Sequence, residues 1–431
     1  MNAKPGAARR IARRRFLGTA AALLAPVLAG CAGAFRGAAP KVVVVGGGFG
    51  GATCARYLRL WSGGRVEVTL VERDAEFVSC PLSNLVIGGS RQLADLSVAY
   101  DSLEARGVRR IRDEAIAIDP AARAVRLARG VALPYDRLVL SPGVDFIYDD
   151  IPSLRERPAQ SRVLNAWNAG PQTLALRSQL AAMRDGGVFA IHVPLAPYRC
   201  PPAPYERACQ VALYFARHKP RSKVIVLDAN PKLQSEAAAF TAAWADRYKG
   251  YVEYRPDSAL VDVDADASVL KLDFDEIRAD VINVIPPQRA GAIARVLGMA
   301  NANGRFCTVD FLSYESTVQP NIHVLGDAIQ GAPAMPKSAH MANQHGKVCA
   351  AAVLSLLQGR EANASPIIAN ACYTYIDDRE AVHVASVHAY DATEKTMLVV
   401  PGSSGSSAAP SIADGTYAEA WARNLWHDTL G

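Results

Sequence analysis

One glycine-rich stretch, “KVVVVGGGFGGATCARYLRLW”, constrains the fold of this chain more than any other feature. Its pattern predicts a strand, a tight turn and a helix, and the strand “RVEVTLVE” follows. Gly46, Gly48 and Gly51 form the pattern GxGxxG, and Glu72 lies at the end of the second strand, about 20 residues after the glycines. The sequence therefore predicts a dinucleotide whose pyrophosphate lies at the helix N-terminus and whose adenosine ribose is bound by Glu72.

Two later stretches indicate which dinucleotide is bound. “YDRLVLSPG” is a strand that ends at Gly143, and “NIHVLGDA” is a strand that ends at Gly326 and Asp327. They resemble the second and third sequence marks of flavoprotein oxidoreductases with two dinucleotide-fold domains, in which this aspartate holds the flavin ribityl chain. If Asp327 is considered alone, the alternative to flavin binding is an aspartate that only caps a turn. A helix predicted to begin near Ser338 would direct its positive end at the flavin pyrimidine, and Lys337 either adds charge there or is solvated.

The middle of the chain has the outline of a second nucleotide fold without its glycine turn. The strand “GVFAIHVP” is followed by “LAPYRCPPAPYERA”, and no glycine occurs between Gly187 and Lys219. Prolines 194, 197, 201, 202 and 204 stiffen the turn and remove amide donors that would otherwise bind a pyrophosphate. We therefore expect no NAD(P)H site here, and electrons must enter from another donor.

These elements predict an α/β fold with two Rossmann-like domains of the glutathione-reductase type and a small C-terminal α+β domain. The aromatic tail “TYAEAWARNLWHDTLG” is expected to pack rather than to bind a ligand. The predicted boundaries are 1–34 for a signal peptide, 35–150 and 286–365 for a discontinuous FAD domain, 151–285 for the second nucleotide fold, and 366–431 for a C-terminal domain.

Residues 1–34 have the pattern of an export signal. Arg13 and Arg14 precede an apolar run of about 12 to 15 residues, shorter than the roughly 20 residues of a membrane-spanning helix. This pattern resembles a twin-arginine signal and predicts a periplasmic protein. The alternative is a basic terminus beside a membrane anchor. “LAGC” also resembles a lipoprotein box that would attach lipid to Cys31, whereas “AGA” at 32–34 suits an ordinary signal peptidase, and the sequence leaves both open.

The charge balance argues against nucleic acid as a partner. Six of the 47 basic residues and none of the 41 acidic residues lie in the predicted signal, so the rest of the chain carries 41 of each. A net basic surface is therefore not indicated. We also predict no resident metal site.

Seven cysteines follow the predicted signal, and an oxidising compartment makes disulfides plausible among them. An odd number leaves at least one thiol free, modified or bonded to another group. Cys200 lies in the turn that replaces the glycines, and Cys372 opens the C-terminal segment. A disulfide between them would either act beside the flavin or serve as a structural link. The seven are Cys54, Cys80, Cys200, Cys209, Cys307, Cys349 and Cys372.

Several longer motifs occur in order along almost the whole chain after the signal: “VVVVGGGFGGAT”, “CPLSN”, “VIGG”, “YRCPPAPYERA”, “INVIPPQRAG”, “VLGDA”, “MPKSAH” and “YAEAWARNLWHDTLG”. Together they resemble the flavoprotein subunit of flavocytochrome c sulfide dehydrogenase. The resemblance implies FAD joined by a thioether from Cys80 to its 8α methyl group, and a redox-active disulfide between Cys200 and Cys372. It also implies that Glu206 lies near this disulfide as a candidate for proton transfer.

The resemblance further implies sulfide or a related reduced sulfur species as substrate and a c-type cytochrome subunit as partner in a heterodimer. It makes 366–431 the domain at the flavin and cytochrome interface. Because the sequence has no CxxCH motif, the haem is expected in that separate subunit. Two other interpretations remain open. Cys80 occupies the position of the redox thiol in NAD(P)H-dependent peroxidases and disulfide reductases of this superfamily, and the chain could also be a non-catalytic flavin electron-transfer subunit.

Overall fold

Strands and helices alternate through the part of the chain that the structure describes, residues 38–431 of a computed structural model. The α-helices there are α1 (Phe49–Trp61), α2 (Ser83–Gly88), α3 (Asp101–Ala105), α4 (Arg157–Arg162), α5 (Pro171–Ala182), α6 (Ala203–His218), α7 (Ala237–Ala245), α8 (Ala292–Arg295), α9 (Ala339–Leu357) and α10 (Ile412–Leu430). The strands of the first half are β1 (Lys41–Val45), β2 (Glu67–Val71), β3 (Phe77–Val78), β4 (Ser97–Val98), β5 (Arg109–Ile111), β6 (Ala115–Asp119), β7 (Ala124–Leu127), β8 (Ala132–Pro134), β9 (Arg137–Leu140), β10 (Val144–Phe146), β11 (Val188–Val193) and β12 (Lys223–Asp228). Those of the second half are β13 (Val252–Arg255), β14 (Leu260–Asp264), β15 (Val269–Leu272), β16 (Glu276–Arg278), β17 (Val281–Val284), β18 (Gln288–Ala290), β19 (Ile322–Val324), β20 (Ile367–Tyr375), β21 (Ala381–Asp391), β22 (Thr396–Val399) and β23 (Gly405–Ser406).

The four valines of β1, residues 42–45, form the centre of a parallel five-stranded sheet in the order β19-β9-β1-β2-β5. All four are buried, as a strand covered on both faces of a parallel sheet requires. Each such side chain contributes about 1.5–3 kcal/mol when it is fully buried. The helices α1 and α9 pack against each other beside this sheet. The carboxyl ends of its strands, and the loops that follow them, lie at one edge.

A second parallel sheet, in the order β13-β12-β11-β17, separates two apolar cores. Alternate residues of β11 face opposite sides: Phe189 and Ile191 belong to one core and Ala190 to the other. This alternation follows from the two-residue period of a strand. The first core also contains buried residues of α5 and α6, so α6, which follows the proline-rich turn, is firmly anchored on the sheet.

An antiparallel sheet of β20, β21, β22 and β23 and the helix α10 form the C-terminal part of the chain. Ser411 caps α10, since its Oγ accepts a hydrogen bond of 3.0 Å from the amide of Asp414. The helix packs against β20, β21 and α1, so the aromatic tail packs as predicted. Among the described residues, no helix is both long enough and apolar enough to cross a membrane.

The structure confirms the predicted α/β fold with parallel sheets. The strands of the first sheet come from residues 41–140 and 322–324, and those of the second from 188–284. The domain boundaries themselves stay a prediction. The predicted signal peptide, Cys31 included, lies outside the described residues.

Candidate active site

The glycine turn between β1 and α1 has the geometry that its pattern predicts. Gly46 has a φ of +99°, and a Cβ there would lie 2.2 Å from the carbonyl oxygen of Ser141. A Cβ on Gly51 would lie 1.9 Å from the carbonyl oxygen of Gly46, so both positions require glycine. A Cβ on Gly48 would meet no heavy atom within 4 Å. The N-terminus of α1 is therefore open at Gly48, where a pyrophosphate can approach its amide groups.

Glu72 lies directly beside this turn, at the end of β2. Its Oε2 accepts a hydrogen bond of 2.6 Å from the amide of Gly47, and its Oε1 accepts one of 2.8 Å from the amide of Asp74. The hydroxyl of Tyr100 donates to the carbonyl oxygen of Gly47 at 3.0 Å. The structure thus brings Glu72 and the glycines together, and contact of Glu72 with a ribose stays a prediction.

The two later sequence marks meet at the same edge of the first sheet. Gly143 and Gly326 both have positive φ, +66° and +72°. Asp327 follows Gly326 and is partly exposed. Partial burial raises the pKa of Asp327, while the cations of Arg199 and Lys337 oppose this shift. A carboxylate with two nearby cations is suited to bind a ligand hydroxyl group.

Lys337 is buried, with 9% of its surface exposed, so the alternative of a solvated lysine is wrong. Its Nζ donates hydrogen bonds to the backbone carbonyl oxygens of Asp327, at 2.9 Å, and of Ile329. The amine also lies 3.8 Å from the centre of the Phe306 ring. Burial lowers the pKa of Lys337 to about 8. Lys337 therefore holds the turn around Asp327 in place and puts positive charge beside it.

Ser338 begins α9 as predicted. Its Oγ accepts a hydrogen bond of 3.0 Å from the amide of Met341 and donates one of 2.7 Å to Oδ1 of Asn370. A small cavity lies between Asp327, Lys337 and this helix N-terminus. The open glycine turn, the carboxyl group of Asp327 and the second helix N-terminus form three of the contacts that FAD requires, so these residues fit the cofactor.

Cys80 lies between β3 and α2 and is partly exposed. The backbone around it is fixed: its carbonyl oxygen accepts from the amide of Ser83 at 3.0 Å. The preceding residue, Ser79, is fully buried, and its Oγ accepts a hydrogen bond of 2.9 Å from the indole Nε1 of Trp426 in α10. Ser79 thus joins this segment to the C-terminal helix.

Arg199 connects the parts of the site electrostatically. Burial alone would lower its pKa, but acidic groups nearby outweigh burial and raise it; these groups are Cys80, Asp327 and Cys200. Its guanidinium donates to Oδ1 of Asn168 at 2.9 Å and to the carbonyl oxygen of Trp167. Two predicted cofactor residues, Cys80 and Asp327, and the predicted redox cysteine, Cys200, therefore lie near the cation of Arg199.

Cys200 and Cys372 come together from distant parts of the chain. Cys200 has a φ of +57°, which is uncommon for a residue with a side chain, and its amide donates to the carbonyl oxygen of Lys337 at 2.9 Å. Cys372 lies on β20 with its Sγ 3.5 Å from Oδ1 of Asn370. Burial and then the neighbouring Cys372 raise the pKa of Cys200 well above its usual value, and burial raises that of Cys372 to about 11. Both are free thiols in the structure, so their disulfide stays a prediction.

Glu206, in the first turn of α6, is buried close to this cysteine pair. Its Oε1 accepts a hydrogen bond of 2.8 Å from the amide of Tyr375, and its Oε2 accepts one of 2.7 Å from Nδ2 of Asn84. Burial raises the pKa of Glu206, and the charge of Arg207 opposes the shift. Arg207 is itself buried and donates to Oδ1 of Asn84 and of Asn283 at 3.0 and 2.7 Å. Glu206 is thus a buried acid, held by two hydrogen bonds, that keeps its proton to a higher pH than an ordinary glutamate.

The proline-rich turn after β11 uses its amides within the protein. The amide of Ala196 donates to Oδ1 of Asn230 at 3.0 Å, and the amide of Arg199 donates to Oε1 of Gln288 at 2.9 Å. The amide of Cys200 donates to the carbonyl oxygen of Lys337. These donors are therefore not free to bind a second pyrophosphate, which agrees with the expectation of no NAD(P)H site.

Two residues near the cysteines were missed by the sequence analysis. Arg199 could have been identified as the cation next to Cys200. Glu236 precedes α7 and has no sequence motif, but it accepts a hydrogen bond of 2.8 Å from Oγ1 of Thr374, two residues after Cys372. It comes near Cys372 through a contact between positions 138 residues apart, which no local pattern indicates.

Three family models match successive parts of the chain. The model for pyridine nucleotide-disulphide oxidoreductases matches residues 40–169. The model for the central region of the sulfide dehydrogenase (flavocytochrome c) flavoprotein chain matches residues 173–286. The model for the flavin-binding region of flavocytochrome c sulphide dehydrogenase matches residues 364–430.

Two curated proteins are similar in sequence. A flavoprotein chain of sulfide dehydrogenase (flavocytochrome c) from Chlorobaculum thiosulfatiphilum is 59% identical over 46 residues, which are 11% of this chain and 94% of that sequence. A mitochondrial sulfide:quinone oxidoreductase from Dictyostelium discoideum is 22% identical over 302 residues, or 67% of this chain. The match spans 65% of the length of that relative.

Solved structures of low sequence identity share the fold. The sulfide:quinone oxidoreductase from Aquifex aeolicus gives a TM-score of 0.73 at 18% identity and covers 91% of this chain and 92% of its own. A ferredoxin reductase from Rhodopseudomonas palustris gives 0.60 at 15% identity, with 81% and 87% covered. Together with the matches in sequence, these likenesses lead to one conclusion: the chain belongs to the family of flavocytochrome c sulfide dehydrogenase flavoprotein chains, within the FAD-dependent disulfide oxidoreductases.

Proposed function

We propose that this chain is the flavoprotein subunit of a sulfide dehydrogenase, which oxidises sulfide to sulfur or polysulfide through a Cys200–Cys372 disulfide and FAD and passes electrons to a c-type cytochrome subunit. The observation that carries the proposal is that Cys200 has the distant Cys372, the buried acid Glu206 and the cation of Arg199 as its neighbours. The same cation has Asp327 among its neighbours, so the cysteine pair lies beside the residues that fit a flavin.

In the proposed reaction, hydrosulfide attacks one sulfur of the disulfide. The S–S bond breaks, one cysteine becomes a persulfide and the other leaves as a thiolate. Arg199 favours the approach of the anion and stabilises negative charge beside Cys200. Glu206 exchanges a proton with sulfide or thiol, since its raised pKa brings the carboxyl group closer to neutral pH than an ordinary glutamate. The flavin, when bound, supplies a two-electron acceptor that can release electrons singly.

The other chemical assignments are part of the same proposal. Cys80 joins the flavin covalently through a thioether, and a partner subunit carries the haem. The protein functions in the periplasm after export by the twin-arginine route, either free or held by lipid at Cys31. The similarity to sulfide:quinone oxidoreductases supports a quinone as the alternative electron acceptor.

Steady-state kinetics with the purified flavin-loaded protein would test this function. Sulfide should reduce added cytochrome c, and NADH in place of sulfide should not bleach the flavin. A short-chain quinone is the competing acceptor. Reduction of quinone but not of cytochrome c would favour the alternative, and rapid flavin reduction by NADH would contradict both.

A further inference from the structure

Glu236 is a partly exposed residue whose carboxyl group has a hydrogen-bond partner on only one of its two oxygens. It lies between β12 and α7, with a φ of +50°. One carboxyl oxygen accepts the hydrogen bond of 2.8 Å from Thr374. The other, Oε1, is buried and has no hydrogen-bond partner. Buried polar atoms are almost always paired, so an unpaired carboxyl oxygen at this position points to a role in the chemistry nearby.

Glu236 lies beside one of the two cysteines, Cys372. Cys372 and Thr374 are two residues apart on β20, so their side chains leave the same face of the strand. The charge of Glu236 is one of the influences that raise the pKa of Cys372, after burial. Glu206 contacts the next residue, Tyr375, through its amide. Two acids therefore flank the pair, with Glu236 on the side of Cys372.

The electrostatics of the two cysteines differ accordingly. At Cys200 the charge of Glu206 adds to the rise of the pKa and the cation of Arg199 opposes it. At Cys372 Glu236 adds to the rise, and only hydrogen bonds with the neutral Asn370 and Ser338 oppose it. An approaching hydrosulfide anion is therefore drawn towards Cys200, and Cys372 is the sulfur that leaves. A leaving thiolate beside carboxyl groups needs a proton more than one beside a guanidinium.

We propose that Glu236 is the acid that protonates the Cys372 sulfur when the Cys200–Cys372 disulfide opens. This inference rests on the proposed function. Hydrosulfide forms a bond to Sγ of Cys200, the S–S bond breaks, and its electron pair goes to Sγ of Cys372. That sulfur takes the proton of Glu236, which leaves a persulfide on Cys200, a thiol at Cys372 and a carboxylate at Glu236. When the disulfide forms again, the persulfide on Cys200 gives up its outer sulfur as zero-valent sulfur and the two cysteine sulfurs join. The two electrons go to the flavin that the proposed function would supply, and of the two protons released one returns to Glu236 and the other goes to solvent.

The acidities agree with this direction of transfer. Burial raises the pKa of Glu236 to about 8, so the group holds a proton at neutral pH. The pKa of Cys372 is about 11, so a thiolate there takes the proton readily. The other titratable groups around Glu236 are Glu206 of α6, whose charge raises the pKa of Glu236 further, and Cys372 of β20. Opening should therefore slow as pH rises past about 8.

Glu236→Gln keeps the size of the side chain and the acceptor for Thr374 but removes the proton. The flavin-loaded, oxidised protein is mixed with sulfide over a range of pH, quenched with an alkylating agent and examined for labelled Cys372 by mass spectrometry. We expect opening in the variant to be slower by about 100-fold or more at neutral pH, with the decline above pH 8 lost. Glu253→Gln, which removes one side of a surface ion pair with Lys223, is the matched control and should behave as the parent.

A second variant and a second readout do not depend on turnover. Thr374→Val keeps the acid but removes a hydrogen bond that lowers its pKa, so the decline should move to higher pH. In the reduced protein, Glu236→Gln should lower the pKa of Cys372 measured by alkylation, because it removes a nearby negative charge. Unchanged opening rates and an unchanged Cys372 pKa in Glu236→Gln would overturn the inference.

Failure of the proposed function would look different. If sulfide does not open the disulfide of the parent protein but a small thiol does, the assignment of sulfide as substrate fails. The comparison of parent and Glu236→Gln with the small thiol then still decides the role of Glu236.

Discussion

Replacing Gly48 with alanine should weaken flavin binding without disturbing the fold. The backbone of Gly48 has a φ of −69°, which any residue adopts, and a Cβ there would meet no protein atom within 4 Å. The methyl group would instead occupy the open space before α1 that a pyrophosphate needs. A hydrogen bond to a charged group contributes about 1.5–3 kcal/mol, so the loss of one amide–phosphate contact should weaken FAD binding by roughly 10- to 100-fold.

Gly51→Ala is the matched control, with the opposite expectation for stability. Its Cβ would lie 1.9 Å from the carbonyl oxygen of Gly46, so the turn or the helix must move. Overpacking of this kind costs about 1–3 kcal/mol. We expect a lower urea midpoint for Gly51→Ala and an unchanged one for Gly48→Ala, both followed by circular dichroism.

The binding assay should be made in a Cys80→Ser background, so that a covalent link does not hide weak affinity. Apoprotein is titrated with FAD, and binding is followed by quenching of the flavin fluorescence. If Gly48→Ala binds FAD as tightly as its Cys80→Ser parent, the pyrophosphate does not lie at the N-terminus of α1 and the assignment of the glycine turn is refuted.

Three further predictions concern the cysteine pair and its surroundings. Cys372→Ser should retain the flavin absorbance but lose flavin bleaching by sulfide under anaerobic conditions, and bleaching at the parent rate would make the disulfide structural. Because burial raises the pKa of Glu206, its carboxylate forms at higher pH than that of an ordinary glutamate; the sulfide rate should rise with pH through that raised pKa, and a pH–rate profile of Glu206→Gln should lack this rise. Trp426→Phe removes the hydrogen bond to Ser79 and should cost about 1 kcal/mol in urea unfolding, whereas Trp421→Phe, whose indole nitrogen has no partner, should cost less.

The parts of the site that depend on local backbone geometry were predictable from the sequence. Gly46 and Gly51 are required by contacts within one βαβ unit, so the spacing of the glycines carries the information. The same holds for the strand that ends at Gly326 and Asp327, and for the start of α9 at Ser338, because each depends on neighbours a few residues away.

Burial and pairing of polar groups were not predictable in the same way. The sequence did not decide whether Lys337 adds charge at the flavin or is solvated. The folded loop buries it against carbonyl groups and an aromatic ring. Glu236 was missed because its partner Thr374 lies 138 residues away. The pKa shifts of both groups come mainly from burial, which is a property of the packed structure and not of any motif.

An anaerobic titration of the oxidised, flavin-loaded protein with sulfide tests the central claim most directly. The flavin absorbance and the thiol content of Cys200 and Cys372 should be followed in the same samples. The proposed function predicts that sulfide bleaches the flavin only when the Cys200–Cys372 disulfide is intact at the start. Alkylation of the reduced cysteine pair before the titration should therefore abolish bleaching. Bleaching by sulfide after both cysteines have been blocked, or an oxidised flavin in excess sulfide, would contradict it.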